Sequence, residues 1–224
     1  MNYVEEFLRA LKPMRWTEAS SDPARTAVLS ADMIDGFCYT GNLASPRIAA
    51  IVPKVSQLFE QADAHGVQNF VLLQEWHSPR AEEFHAFAPH GIRETPEAET
   101  VSALALLPFA SRYHVIHKNS VSSSAGPALD RWLDTHPLDA AIVVGDCTDI
   151  CAYLLALHLR TRANEHDQKL RVIVPADCMQ TYDLPVETAK QPGAMPHDGE
   201  LMHAIFLYHM ALHGIEVVST LLPH

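Results

Sequence analysis

The sequence predicts an α/β fold of three layers, α/β/α, around a doubly wound, mostly parallel sheet of about six strands. Three observations predict it. Six short apolar runs recur along the chain. They are continuous rather than alternating, the pattern of strands buried on both faces. Segments of helical periodicity separate most of them, which implies parallel pairing through right-handed crossovers. With 224 residues, 48% of them hydrophobic and 19% charged, the chain can bury the core that such a unit needs.

Taken in order, residues 1–11 place Val4, Phe7, Leu8 and Leu11 at helical spacing and stop before Pro13. They form a peripheral helix in an N-terminal extension, 1–25, ahead of a single domain at 26–224. Residues 26–32 (TAVLSAD) are a strand ending on Asp32. Ser45 and Pro46 open a helix with Ile48, Ile51, Val55, Leu58 and Phe59 on its apolar face and Gly66 after its close. Further strands fall at 69–74, 113–118, 140–145, 170–175 and 215–220, with helices at 126–135, 149–162 and 199–213. Two stretches fit neither class: 75–108, with Pro79, Pro89, Pro96 and Pro108 among clustered acids and histidines, and 184–199, a loop placed to cover a site. Long irregular insertions in compact α/β proteins usually carry function.

Charge narrows the partners. Lys and Arg total 16 against 27 Asp and Glu, a net charge of −11, which repels nucleic acid and anionic membranes. The chain has no apolar run of membrane-spanning length and no apolar leader at its start, so a cytoplasmic protein acting on a small molecule is expected. Self-association is left open. The four cysteines lack the paired spacing of a structural zinc site and read as free thiols. The 14 histidines need local context before they mean anything.

Ligands of open parallel sheets bind beyond the carboxyl ends of the strands. The residues there are Asp32, Glu75, His77, Lys118 and the segment 145–151. Cys151 opens a helix after a short turn, so the helix dipole and a nearby Lys118 are expected to lower its pKa. Neighbouring N–H groups could hold an oxyanion. The plainer alternatives are a core cysteine, a structural acid and a solvated lysine. Glu75 and His77 are two apart and leave an extended segment on one face, with Glu83, His85 and His90 within reach. Mixed imidazole and carboxylate ligands suit Zn²⁺, which we favour, or Mn²⁺ or Fe²⁺; the alternative is a hydrated loop. No GxGxxG follows the first strand, which excludes a dinucleotide oxidoreductase.

Three blocks, AVLSADMIDGF (27–37), HVIHKNSVSS (114–123) and VVGDCTDICA (143–152), resemble the signature blocks of the isochorismatase-like cysteine hydrolases, over 26–218. The resemblance implies that fold, a catalytic triad of Asp32, Lys118 and Cys151, a cis peptide at 146–147, and an oxyanion hole from the N–H groups of Cys147 and Cys151. The 75–108 loop is similar to that of the nicotinamidase (pyrazinamidase) branch. That similarity implies metal ligands Glu75, His77 and His90, with Glu83 preferred over His85 as the fourth, and aromatic walls Phe37 and Phe87, which could equally be core. It departs in having Glu75 where Asp is usual. The implied activity is metal-assisted hydrolysis of nicotinamide to nicotinate and ammonia through a thioester. The competing expectations are another amide or carbamoyl hydrolase of the family, acting on a small non-pyridine substrate, and a silent binding module on the same fold.

Overall fold

The computed structural model describes residues 2–190 and 195–223; part of the expected 184–199 loop lies outside them. Its strands are β1 (Met14–Arg15), β2 (Thr26–Ala31), β3 (Asn69–Glu75), β4 (Tyr113–Lys118), β5 (Ala140–Gly145), β6 (Arg171–Pro175), β7 (Glu216–Val218) and β8 (Leu221–Leu222). Six of them form one parallel sheet in the order β4-β3-β2-β5-β6-β7. This is the sheet expected from the apolar runs, except that in the edge strand β4 only Ile116 and Lys118 are buried, where burial on both faces was expected. Every residue of β2 and β5 is buried, as parallel pairing between helical layers requires.

Alternate residues of each strand serve opposite layers. On one face Val28 and Phe70 pack with Trp16, Val55 and Phe59 beneath the helix Val52–His65. On the other, Leu29 and Leu73 pack with Leu129, Leu155 and Leu159 beneath the helices Ala128–Thr135 and Cys151–Glu165. The helix expected to open at Ser45 is two pieces, Pro46–Ala49 and Val52–His65, the second closed by Gly66 in the left-handed conformation (φ 98°). The helix Asn2–Ala10 lies against the helix Gly199–Leu212. The rest of the first 25 residues is less peripheral than expected: β1 pairs in parallel with β8, and Trp16 is fully buried.

The winding places the site. From β2 the chain builds outward through β3 to β4, then returns across β2 to lay down β5, so the order reverses between β2 and β5. Helical crossovers diverge at such a switch point and leave a crevice above the strand ends. Gly145 closes β5 there with φ 108°, and the Asp146 N–H donates to Ala31 O at 3.0 Å. A Cβ on Gly145 would lie 2.0 Å from that same oxygen. Gly145→Ala is therefore expected to cost about 3 kcal/mol or more, from combined clash and backbone strain, measurable as a lowered urea midpoint with an unchanged slope.

Candidate active site

The ends of β2, β3 and β4 and the start of the helix Cys151–Glu165 deliver four chemical groups to one buried point. β3 and β4 run in a register that sets Glu75 opposite Lys118. The Lys118 Nζ lies 2.8 Å from Asp32 Oδ2, 3.1 Å from Glu75 Oε1 and 3.7 Å from Cys151 Sγ. Cys151 Sγ is also 3.5 Å from Glu75 Oε1. Asp32 is held by the backbone. It follows β2 in the left-handed region (φ 52°), which Asp tolerates better than most residues; its N–H donates to Leu73 O, and its Oδ1 accepts the Glu75 N–H at 2.8 Å.

Burial pushes the Asp32 carboxyl up to about 6, against the pull of Lys118. Burial acts on Glu75 in the same direction, but Lys118, His77 and His90 outweigh it and hold Glu75 well below the usual carboxylate range. The Lys118 ammonium is opposed by burial, yet Asp32, Cys151 and Glu75 raise it above its ordinary value. Cys151 corrects an expectation. Its thiol is pushed well above its ordinary value by burial, and although Lys118 pulls it down, Asp32 and Glu75 push it further up. The single ammonium is already shared by two carboxylates, so a third anion gains too little from it. The group present is a thiol beside proton acceptors.

Behind this cluster the 75–108 loop folds back on itself. The His77 N–H donates to Gly91 O and the Arg93 N–H to His77 O, at 2.9 and 3.0 Å, which ties residues 91–93 alongside the end of β3. His90 thereby comes to Glu75, and Glu75, His77 and His90 present ligand atoms within 4.8 Å of one another. Glu75 Oε2 is 3.2 Å from His77 Nε2 and 2.8 Å from His90 Nε2. Among the described residues, Glu75 Oε2 and both ring nitrogens of His77 are buried with no hydrogen-bond partner. A buried carboxylate oxygen and imidazole nitrogens converging on one point suit a cation between them. His90 Nδ1 donates to Ala88 O at 2.7 Å, the tautomer that leaves Nε2 as the ligand atom. The expected fourth ligand is not in this group. Both Glu83 carboxylate oxygens accept the Val121 N–H, at 3.0 and 3.2 Å, and the His85 side chain is 86% exposed beside Glu82.

Above the thiol is a narrow cleft lined by Phe37, Phe87, His90, Val121, Cys151 and Tyr182, among others, with about 20 Å³ of free space. Phe37 and Phe87 thus face the site, with Phe37 packed against His90 at 5.5 Å between ring centres. Sequence reasoning missed Phe84, which packs against both His77 and His90, and Tyr182, which no spacing marked. The peptide between Asp146 and Cys147 is cis, as the resemblance implied.

The Isochorismatase domain profile matches residues 26–220. The chain belongs to the isochorismatase family. This family hydrolase is 28% identical to Nicotinamidase 1 of Arabidopsis thaliana over 205 residues, which cover 84% of this chain and 83% of that protein. Its fold matches a cysteine hydrolase from Pseudomonas syringae pv. phaseolicola (24% identity, TM-score 0.69, 94% of each chain). It also matches the pyrazinamidase of Pyrococcus horikoshii in complex with zinc (21%, TM-score 0.67, 87% of this chain and 98% of that one), and N-carbamoylsarcosine amidase of Thermoplasma acidophilum (20%, TM-score 0.63, 87% and 95%). Among the described residues no helix is long and apolar enough to cross a membrane.

The turn that carries Cys151 in this isochorismatase-family hydrolase is tied from two sides. The Thr148 N–H donates to Gln180 O at 2.9 Å, and Thr148 Oγ1 meets His203 Nδ1 at 2.8 Å. Burial, helped by Arg47 and opposed by Glu200 and Asp149, lowers His203 to about 4. Below pH 6.5 the unfolded chain therefore binds a proton here that the folded one does not, and stability falls as pH drops towards 4. Allowing for the partial exposure of His203, the loss is roughly 2 kcal/mol. Urea titrations across this range should show His203→Gln losing that much less stability than the parent protein.

Proposed function

We propose that this chain is a metal-assisted cysteine amidohydrolase that converts nicotinamide to nicotinate and ammonia. The observation that supports this reading most is the sharing of Glu75. One of its oxygens touches Lys118 and Cys151 and the other touches His77 and His90, so a nucleophile and a cation site stand at the two ends of one carboxylate. The relative named as a nicotinamidase agrees with it. The aromatic side chains Phe37, Phe87 and Tyr182 line the cleft and offer faces on which a flat heteroaromatic ring stacks.

The thiol of Cys151 gives its proton to Asp32 while Sγ attacks the amide carbon, with Lys118 beside the developing thiolate. The tetrahedral oxyanion would be held by the N–H groups of Cys147 and Cys151, the second in a first helical turn where N–H groups lack intrahelical acceptors. Collapse breaks the C–N bond, Asp32 returns its proton to the nitrogen, and ammonia leaves behind a thioester. Asp32 then takes a proton from water as the water oxygen attacks the acyl carbon, and the acid departs as Cys151 recovers its proton. When bound at Glu75, His77 and His90, a divalent cation supplies a Lewis acid towards the ring-nitrogen end of a pyridine amide. The rest of the chemistry belongs to the side chains.

A second reading, hydrolysis of a small aliphatic amide or carbamoyl compound, is favoured by one observation: the free space in the cleft is only about 20 Å³. Ammonia release from nicotinamide, pyrazinamide and acetamide separates the two. The pyridine and pyrazine amides are expected to be preferred and Cys151→Ala to lose at least about 10⁴-fold in turnover with an unchanged melting temperature; substantial ammonia from that variant, or preference for acetamide, refutes the reading. A competition titration with a zinc chelator is expected to show stoichiometric binding weakened at least about 100-fold by His77→Ala or His90→Ala and unaffected by His85→Ala.

A further inference from the structure

Tyr182 contributes to the cleft beside Cys147, Ile150 and Cys151, although it belongs to the segment after β6 and to no regular element. Something must hold it there. The His197 ring lies flat on the Tyr182 ring, 4.0 Å between centres and 16° between planes. The same imidazole is anchored at both nitrogens: Nδ1 to the Tyr182 carbonyl at 2.8 Å and Nε2 to Asp149 Oδ2 at 2.7 Å. The backbone adds two bonds, the Leu184 N–H to His197 O and the His197 N–H to Leu184 O, at 2.8 and 2.9 Å.

Both nitrogens of His197 face acceptors, a carbonyl and a carboxylate. Asp149 and His197 side chains are 3% and 11% exposed, so the pair is shielded from water and its bonds are strongly directional. Asp149 lies two residues before Cys151 in the turn that carries the nucleophile. The chain Asp149, His197, Tyr182 therefore references the cleft wall to the nucleophile's own turn.

We propose that Tyr182 is a specificity-determining wall of the substrate cleft, selecting flat aromatic amides, and that His197 and Asp149 are positioning residues that set its ring relative to Cys151. This rests on the amidohydrolase reading and adds the determinant of substrate class. His197 does not line the cleft, so its effect passes through Tyr182.

Two readouts test it. The first is steady-state kinetics on nicotinamide and on acetamide. The second needs no turnover: alkylation of Cys151 by iodoacetamide and by iodoacetanilide, in which Sγ displaces iodide from the methylene carbon and the two reagents differ by a phenyl ring. His197→Ala and Tyr182→Ala are each expected to raise KM for nicotinamide roughly two- to tenfold, the worth of an aromatic contact, with kcat within a factor of about two. The ratio of iodoacetanilide to iodoacetamide rates should fall by a similar factor. Tyr182→Phe, which keeps the ring and the carbonyl, should recover most of the iodoacetanilide preference that Tyr182→Ala loses, the rescue that a ring contact requires. Asp149→Asn, nearly isosteric, should show the same shift in smaller measure and serves if the alanine variants do not fold. Unchanged ratios in folded variants, or equal loss with both reagents, overturn the proposal. If the parent protein does not hydrolyse nicotinamide but the alkylation ratios shift as stated, the wall stands and the substrate reading falls.

Discussion

The Glu75 carboxylate is the constraint on which the site depends. Two carboxylates and one ammonium are buried together in Asp32, Glu75 and Lys118, which leaves one negative charge without a lysine to answer it. An uncompensated buried charge costs several kcal/mol, and on the far side of Glu75 the fold sets His90 Nε2 2.8 Å from Oε2. Burial works against charging His90, yet Glu75 holds its pKa above the ordinary value. The same excess of negative charge makes the pocket receptive to a divalent cation. The cluster around Cys151 and the cluster of Glu75, His77 and His90 are thus two sides of one electrostatic balance.

That balance is possible because the backbone fixes distances before any side chain is chosen. Adjacent parallel strands lie about 4.8 Å apart, and the registers Ala31 with Leu73, Ala31 with Gly145 and Glu75 with Lys118 end β2 and β5 together and carry β3 and β4 two residues beyond them. The left-handed turn at Asp32 then brings its carboxylate to the end of β3, where Oδ1 accepts the Glu75 N–H. Gly145, which no side chain could replace beside Ala31 O, lets β5 approach closely enough for the next turn to start over the crevice.

Much of this was legible in the sequence for a physical reason. Strands buried on both faces must be apolar throughout, so TAVLSA and AAIVVG announce themselves, and a polar residue ending such a run can only stand at a sheet edge. Asp32, Glu75 and Lys118 were readable that way, and Cys151 from the short turn that separates β5 from the next helix. Contacts made by reach were not. Spacing shows that Glu83 can approach His77, but not that the Val121 N–H, 38 residues away, engages it first. Nor does position in a first helical turn reveal that burial, with Asp32 and Glu75 alongside, pushes the Cys151 thiol up rather than down. The pairing of Met14 with Leu221 and the stack of Tyr182 on His197 join distant segments that carry no periodic signal.

The identity of residue 75 shows how far one bond matters. With its longer side chain, Glu75 places Oε1 at 3.1 Å from Lys118 and 3.5 Å from Cys151 while Oε2 stays 2.8 Å from His90. A carboxylate one methylene shorter, starting from the same buried backbone, has its oxygens drawn back by roughly 1.5 Å, enough to forfeit one set of contacts. Hydrogen bonds and ion pairs weaken steeply over such a distance. The shorter side chain would therefore reach His90 or reach Lys118 and Cys151, whereas Glu75 reaches both sides. The tight register of β3 against β4 and the cross-loop bonds from His77 to residues 91 and 93 are what keep both sets of contacts in place.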